Sequence, residues 1–263
     1  MKLNNALIVY THPATGESKN TLDKVKNILK KNGIRFNLAD RDKLRRQQFE
    51  KRSLIIAVGG DGTFLRAAQF VKNELIFGVN ADVLNKEGFF TEANKKSFEE
   101  KLGKIINGKT EIKMLPRLEA FINGKKIGTL ALNEFYIGPK KGYHGAKYVL
   151  QIGRKKERHK SSGILVTTPA GSYAWAKAAY RNIMPMDSKN FQFVVREPYE
   201  GKVFRRYKIK HGILEKNEKI MVLSEMLDGV IVADSVGKEY SFRNGSKATI
   251  KLSGKTLNLL RTI

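Results

Sequence analysis

Leu54-Ile-Ile-Ala-Val-Gly-Gly-Asp-Gly-Thr-Phe-Leu65 is the stretch from which the rest of this chain can be read. Leu54 to Val58 is an unbroken apolar run, short and rich in branched side chains, as strands buried on both faces are. Gly59, Gly60 and Gly62 break it. Phe64, Leu65, Ala68 and Val71 then recur at helical spacing, which predicts a helix over Thr63 to Lys72. Between a strand and a helix, glycines let the backbone take unusual angles and let an anion approach main-chain N–H groups. The helix directs its positive end to the same place. Gly59, Gly60, Gly62 and Thr63 are therefore candidate phosphate contacts. Asp61 is the only acid in the turn. It reads either as a cap for the helix or as the group that accepts a hydroxyl proton in phosphoryl transfer.

The same rhythm continues on both sides of this loop. Ala6 to Thr11 is an apolar run. Leu22, Val25, Ile28 and Leu29 follow at helical spacing, and Asn32-Gly33 supplies a C-cap. Arg35 to Leu38 and Leu75 to Val79 read as strands, and Phe98, Leu102, Ile105 and Ile106 as a helix ending at Asn107-Gly108. This pattern predicts an α/β N-terminal domain with a parallel, Rossmann-like sheet. Beyond Gly108 short strands dominate. They are expected at Leu118 to Ile122, Ile127 to Leu132, Tyr148 to Ile152, Gly163 to Thr167 and Phe191 to Val195. Further ones are expected at Ile220 to Leu223, Val230 to Ala233, Thr249 to Leu252 and Leu257 to Leu260. Asn123-Gly124 is a hairpin signal, and Ala174 to Tyr180 is one helix-like segment. The expected division is residues 1–109, the α/β domain with the glycine loop, and residues 110–263, an all-β C-terminal domain.

Two further motifs fall in the second part. Asn133-Glu134 lies between two apolar runs, where an unpaired carboxylate would be costly to bury. An amide and a carboxylate suit an adenine edge and ribose hydroxyls, although an exposed strand junction would carry the same residues. Ser161-Ser-Gly-Ile-Leu-Val-Thr-Thr-Pro-Ala-Gly-Ser-Tyr-Ala-Trp175 reads as a strand, a Pro169–Gly171 turn and a helix with Ser172 as its N-cap. Small residues at this turn leave room for a planar base. Trp175, the only tryptophan, suits packing or base stacking.

Gly-Gly-Asp-Gly-Thr resembles the nucleotide loop of NAD kinases and of diacylglycerol and sphingosine kinases. The Asn-Glu pair, the Thr168-Pro-Ala-Gly-Ser172 turn, Gly78-Val-Asn80 and Asp234 together resemble the NAD kinase superfamily. The Ser161-Ser-Gly163 version is similar to the branch that includes mitochondrial NAD kinase 2. The resemblance implies ATP, or polyphosphate, as donor with Mg²⁺ or another divalent cation, and NAD as acceptor. It implies that Asp61 is the base acting on the 2′-hydroxyl of the adenosine ribose. By the same resemblance Gly62 and Arg66 contact nucleotides, and Asn133 and Glu134 hold the adenosine. Tyr173, Ala174, Trp175 and Ala178, beside Gly171 and Ser172, line the adenine pocket. The chain departs from the common pattern in several places. Ser162 replaces an acid at the nicotinamide end, Ala179-Tyr180-Arg181 stands where the family has Gly-Gly, Ser235-Val236 replaces Gly-Gln, and no terminal helix precedes Ile263. A homodimer or homotetramer is implied by resemblance alone.

Composition narrows the alternatives. With no cysteine, disulfides, thiolate catalysis and cysteine-based zinc sites are excluded. The four histidines lack ligand spacing, and no metal-ligating cluster is expected. No apolar run approaches the roughly 18 residues of a membrane span, and the N-terminus lacks a signal pattern, so a cytoplasmic protein is expected. Fifty Lys and Arg against 25 Asp and Glu give a net charge of +25, which favours anionic partners. Basic clusters lie at Arg41 to Arg52, Arg154 to Lys160 and Lys202 to Lys210; none is read as a stacking platform for single strands, so nucleic acid is expected only as a non-specific ligand. A kinase for a lipid or other small alcohol, and a non-catalytic nucleotide or nucleic-acid binder, remain alternatives.

Overall fold

A computed structural model describes residues 3–12 and 15–263. Along the chain run β1 (Asn5–Tyr10), α1 (Gly16–Lys31), β2 (Arg35–Asp40), β3 (Leu54–Gly59), α2 (Asp61–Ala68), β4 (Leu75–Asn80), β5 (Ala93–Asn94), α3 (Phe98–Ile106) and β6 (Thr110–Leu115). There follow β7 (Leu118–Ile122), β8 (Lys125–Lys126), β9 (Glu134–Pro139), β10 (Ala146–Ile152), β11 (Lys155–Ser161), β12 (Ile164–Thr167) and α4 (Trp175–Tyr180). The series ends with β13 (Phe191–Val195), β14 (His211–Leu214), β15 (Ile220–Ser224), β16 (Gly229–Ala233), β17 (Glu239–Ser241), β18 (Lys247–Leu252) and β19 (Leu257–Thr262).

The chain divides into two compact units, residues 1–114 with 257–263, and residues 115–256. The first holds one sheet in the order β2-β1-β3-β4-β19-β6, with β5 beside β4. Pairs β1–β2, β1–β3, β3–β4 and β4–β19 are parallel. Ala6, Ile8, Ile56, Val58, Phe77 and Val79 face α1 and α3, which contribute Val25, Leu29, Phe98 and Leu102 to the same core. The Thr15 hydroxyl accepts from the Ser18 N–H to start α1, and Gly33, at φ +67°, ends it. Strand order reverses at β1, whose neighbours β2 and β3 follow it on opposite sides. The glycine loop leaves the carboxyl end of β3 at that reversal, where open α/β sheets bind ligands.

The second unit is all-β apart from α4 and a short 3₁₀ turn. Its sheets run β11-β10-β15-β18-β7-β8 and β14-β13-β12-β9-β16-β17, with antiparallel pairs throughout. Leu118, Tyr148 and Ile250 from one sheet and Phe135, Ile164 and Phe191 from the other share a core, which makes the unit a sandwich. Asn123 and Gly124 take φ +50° and +79° between the paired Ile122 and Lys125, the turn their sequence predicts.

Three expectations change. The segment expected as a strand over Ile127 to Leu132 forms only a bridge between Ala131 and Leu118, because it bends after Gly128 into the site described below. Leu257 to Leu260, placed by the expected division in residues 110–263, joins the first sheet instead. Leu257, Leu259 and Leu260 are all buried, a near-continuous apolar run that suits the interior of a parallel sheet better than an alternating sandwich strand. The helix after the glycine loop covers Asp61–Ala68 rather than Thr63 to Lys72, since Gly60 takes the N-cap position and the Phe70 and Val71 N–H groups tighten onto Ala67 and Ala68.

Candidate active site

In the first unit, close approach of side chains and, at Gly78, of backbone explains the glycines. A Cβ on Gly59 would lie 2.3 Å from Thr63 Oγ1, and one on Gly78 would lie 2.6 Å from the Phe90 carbonyl. Gly78 thus lets the 88–91 segment cross β4 closely, and Phe90 stacks on Phe64 of α2 at 4.9 Å between ring centroids. This crossing delivers two amides to Asp61. Phe89 N–H donates to Oδ2 at 3.1 Å and Phe90 N–H to Oδ1 at 2.9 Å. Asp61 is therefore the first residue of α2 and not its cap. Its carboxylate is oriented by the loop, and each oxygen keeps a further lone pair for a proton or cation.

Two cations missed by the sequence reading flank this loop. The Lys86 stem lies over Gly60, with its Cδ 3.0 Å from where a Cβ would stand, and its ammonium donates to Ser18 Oγ at 3.1 Å. Arg41 Nη1 lies 3.5 Å from the Cβ position of Gly62. Arg41 was visible only as a member of a surface basic run, and nothing local marks Lys86. Arg66, expected at the nucleotide, donates to Gln69 Oε1 at 3.0 Å and lies over the Phe70 ring.

In the second unit, Asn133 precedes β9 and Glu134 opens it, beside the end of β12 (Thr167 pairs with Glu134). The Asn133 backbone is held on both sides. Its N–H donates to Asp234 Oδ1 at 2.6 Å, and its carbonyl accepts from Thr168 N–H at 2.8 Å and Thr167 Oγ1 at 3.0 Å. Asp234 N–H donates to the Glu134 carbonyl at 2.8 Å, and Ser235 Oγ to Glu134 Oε1 at 3.2 Å. Asp234 and Ser235 manage this by adopting φ of +56° and +53°. Asn133 Oδ1 and Glu134 Oε2 are buried without hydrogen-bond partners. Such atoms are costly unless a ligand supplies the missing bonds.

Burial, and then the neighbouring Asp234 charge, push the Glu134 carboxyl up to about 8; the Ser235 hydroxyl opposes the shift. A folded-state value above the unfolded one means that the stabilising contribution is complete below about 4.5 and is lost as pH rises through about 8. Melting midpoints of the protein without ligand, compared across this range with Glu134→Gln, should show a fall with pH that the variant lacks.

The Thr168–Ser172 turn winds as a 3₁₀ segment. Ser172 is not the N-cap of α4; its hydroxyl donates to the Pro169 carbonyl at 2.6 Å and accepts from Met184 N–H at 2.9 Å, while Ala174 takes the cap position. Gly171 packs against the Asn133 carbonyl. Tyr173 and Ala178 are exposed, Ala174 and Trp175 half-buried. Trp175 stacks on Tyr136 at 5.4 Å with the Arg196 guanidinium 4.4 Å from its ring centroid, so packing and an accessible aromatic surface coexist there. The Ser162 carbonyl accepts from Tyr136 Oη at 3.3 Å and its N–H donates to the Arg196 carbonyl at 3.0 Å. Asp61, Gly59, Gly60, Gly62, Thr63 and Arg66 thus group in the first unit, and the remaining expected residues in the second. Among the described residues no helix is long and apolar enough to cross a membrane.

The ATP-NAD kinase N-terminal domain family matches residues 4–110. A probable NADH kinase of Oryza sativa subsp. japonica is 25% identical over 92% of this chain and 81% of that protein. An NAD kinase of Sulfurisphaera tokodaii is 28% identical over 90% and 88%. Among solved structures, an NAD kinase from Archaeoglobus fulgidus in complex with ATP superposes with a TM-score of 0.78 at 24% identity, covering 98% of this chain and 93% of that one. Yeast NADH kinase complexed with NADH gives 0.82 at 14% identity, over 99% and 84%. Those two likenesses are of fold, an α/β unit followed by antiparallel sheets. The glycine loop lies inside the matched domain, so residues 4–110 form an ATP-NAD kinase N-terminal domain, and the chain as a whole is similar to NAD and NADH kinases.

Proposed function

We propose that the chain is an NAD kinase that transfers the γ-phosphoryl group of ATP to the 2′-hydroxyl of the adenosine ribose of NAD, forming NADP. The observation that carries this reading is the pair of buried, unpartnered oxygens, Asn133 Oδ1 and Glu134 Oε2, on a backbone fixed from both sides. Sugar hydroxyls and an exocyclic amine are the groups that satisfy them. The acceptor is thereby a nucleoside rather than a lipid alcohol. Asp61 accepts the hydroxyl proton, and its two amide bonds hold it in one orientation for that task. Main-chain N–H groups of the glycine loop, with Arg41 and Lys86, bind donor phosphates.

Mg²⁺ or another divalent cation, carried by the donor's phosphates, would supply charge neutralisation between them. The chain's donor set suits this arrangement, since Asp61 offers one carboxylate and such ions are usually held by one or two carboxylates plus phosphate oxygens. Ser162 adds no charge of its own beside the Tyr136–Trp175 stack, where Arg196 supplies a positive one, and both NAD and NADH are kept as acceptors in this reading. A homodimer or homotetramer is part of the same reading.

The test is incubation with labelled ATP and a divalent cation, with NAD, NADH or diacylglycerol in separate arms and polyphosphate as a second donor. Formation of labelled NADP or NADPH is expected. Label appearing only in the lipid arm, or in none, would sink the proposal.

A further inference from the structure

Two of the basic clusters in the sequence, Arg154 to Lys160 and Lys202 to Lys210, stand more than 40 residues apart and are joined in the fold. The first is largely β11, an edge strand. Its alternate residues Glu157, His159 and Ser161 turn inward, leaving Lys156, Arg158 and Lys160 outward. The inward row clamps the second cluster onto the strand. The buried His159 ring lies between Tyr148, at 5.5 Å, and Tyr207, at 4.5 Å, all three nearly parallel. Tyr207 Oη accepts from Lys160 N–H at 3.0 Å and donates to the Tyr199 carbonyl at 2.9 Å. The Glu157 carboxylate accepts from the Lys208 and Ile209 N–H groups, each at 2.9 Å.

This clamp uses up the nearby negative charge. Glu157 is occupied by backbone amides, Glu225 by Arg158 and Glu200 by Lys210. Arg154, Lys155, Lys156, Lys202, Arg206 and Lys208 are exposed and have no ion pair among the described residues. The first run has no aromatic of its own, and the fold brings Tyr199 and Phe204 of the second segment to it. Tyr199, 54% exposed, receives the Lys160 ammonium 4.2 Å from its ring centroid, and Phe204 receives the Arg158 guanidinium at 5.3 Å. Surplus cations beside a partly open aromatic ring on a rigid ridge are the ingredients of single-strand binding. An anionic membrane is the poorer fit, since no amphipathic helix lies in the surface and Val203 is its only aliphatic side chain left mostly exposed.

We propose that this two-segment surface binds the phosphodiester backbone of single-stranded nucleic acid, separately from the nucleotide site. The proposal is tested with the full-length protein by fluorescence anisotropy of a labelled oligouridylate over a series of KCl concentrations. The triple variant Lys155→Glu/Lys156→Glu/Arg206→Glu is expected to weaken binding about tenfold or more and to flatten the salt dependence by roughly 0.7 per lost phosphate contact. Its kinase turnover should be unchanged. Lys19→Glu/Lys96→Glu/Lys109→Glu, an equal charge change on exposed lysines of the first unit, should bind as the parent does. Equal loss in both variants would reduce the effect to net charge and overturn the proposal. So would binding unaffected by the first variant, displacement of the oligonucleotide by saturating ATP and NAD, or binding to anionic vesicles with none to the oligonucleotide. Should the charge reversals unfold the protein, the Gln versions of the same three positions carry the same expectations.

Discussion

Asp61→Asn is expected to lower kcat about 10²–10⁴-fold, the usual contribution of a positioned base. The structure lets that loss be told apart from damage. Asn offers one carbonyl oxygen to two donors, Phe89 N–H and Phe90 N–H, and turns its amide nitrogen towards the other. One lost or opposed hydrogen bond costs about 1–3 kcal/mol, so a lower melting midpoint accompanies the variant. At a temperature where both proteins are folded, a fall in kcat with KM for NAD little changed marks removal of an interaction made in the transition state. Near-parental kcat would end the assignment of Asp61 as base. KM rising alone would make it a binding residue.

Gly171→Ala is expected to be the most damaging single methyl group in the second unit. The added carbon would stand 2.1 Å from the Asn133 carbonyl oxygen and 2.2 Å from Thr167 Oγ1. The first is backbone held between Asp234 and Thr168, so it cannot step aside without opening the Asn133 frame. Overpacking of this kind costs about 3 kcal/mol or more, equivalent to a fall of about 10 °C in melting midpoint for a protein of this size. Because the carbon presses on the residue that presents Glu134, KM for the dinucleotide should rise as well. Gly103→Ala is the matched control. It lies inside α3 with nothing within 4 Å, and should stabilise by about 0.5–1 kcal/mol. A Gly171→Ala protein that melts and binds like the parent would contradict the packing described for the turn.

What could be read from sequence followed burial. The strand–glycine–helix passage through β3 and α2 announced itself because β3 is buried on both faces, leaving an apolar run with no polar interruptions. β11 was invisible for the opposite reason. It is an edge strand whose inward positions are Glu157, His159 and Ser161, so its period-two pattern is written in polar residues and carries no hydrophobic alternation. Asn133 and Glu134 stood out as polar letters between apolar runs, yet the residue that holds Asn133 in place, Asp234, is about 100 positions away and gains its meaning only from the pairing of β9 with β16. Lys86 was lost in the same way, since what it covers, Gly60, is near only in space. Ser172 misled because a hydroxyl before a helix usually caps it, whereas here the 3₁₀ winding turns it back to Pro169 and on to Met184.

The seat of β19 between β4 and β6 has a consequence for biosynthesis. The sandwich, residues 115–256, leaves the ribosome with every strand it requires. The first sheet, although begun earlier, must wait for residues 257–262 before the gap beside β4 is filled. During that interval the Leu75–Ile76 end of β4, beyond its pairing with β5, presents an unpaired apolar edge, the kind of template on which nascent chains associate wrongly. The part translated first is thus completed last, and the burden on chaperones falls on the half that carries the glycine loop.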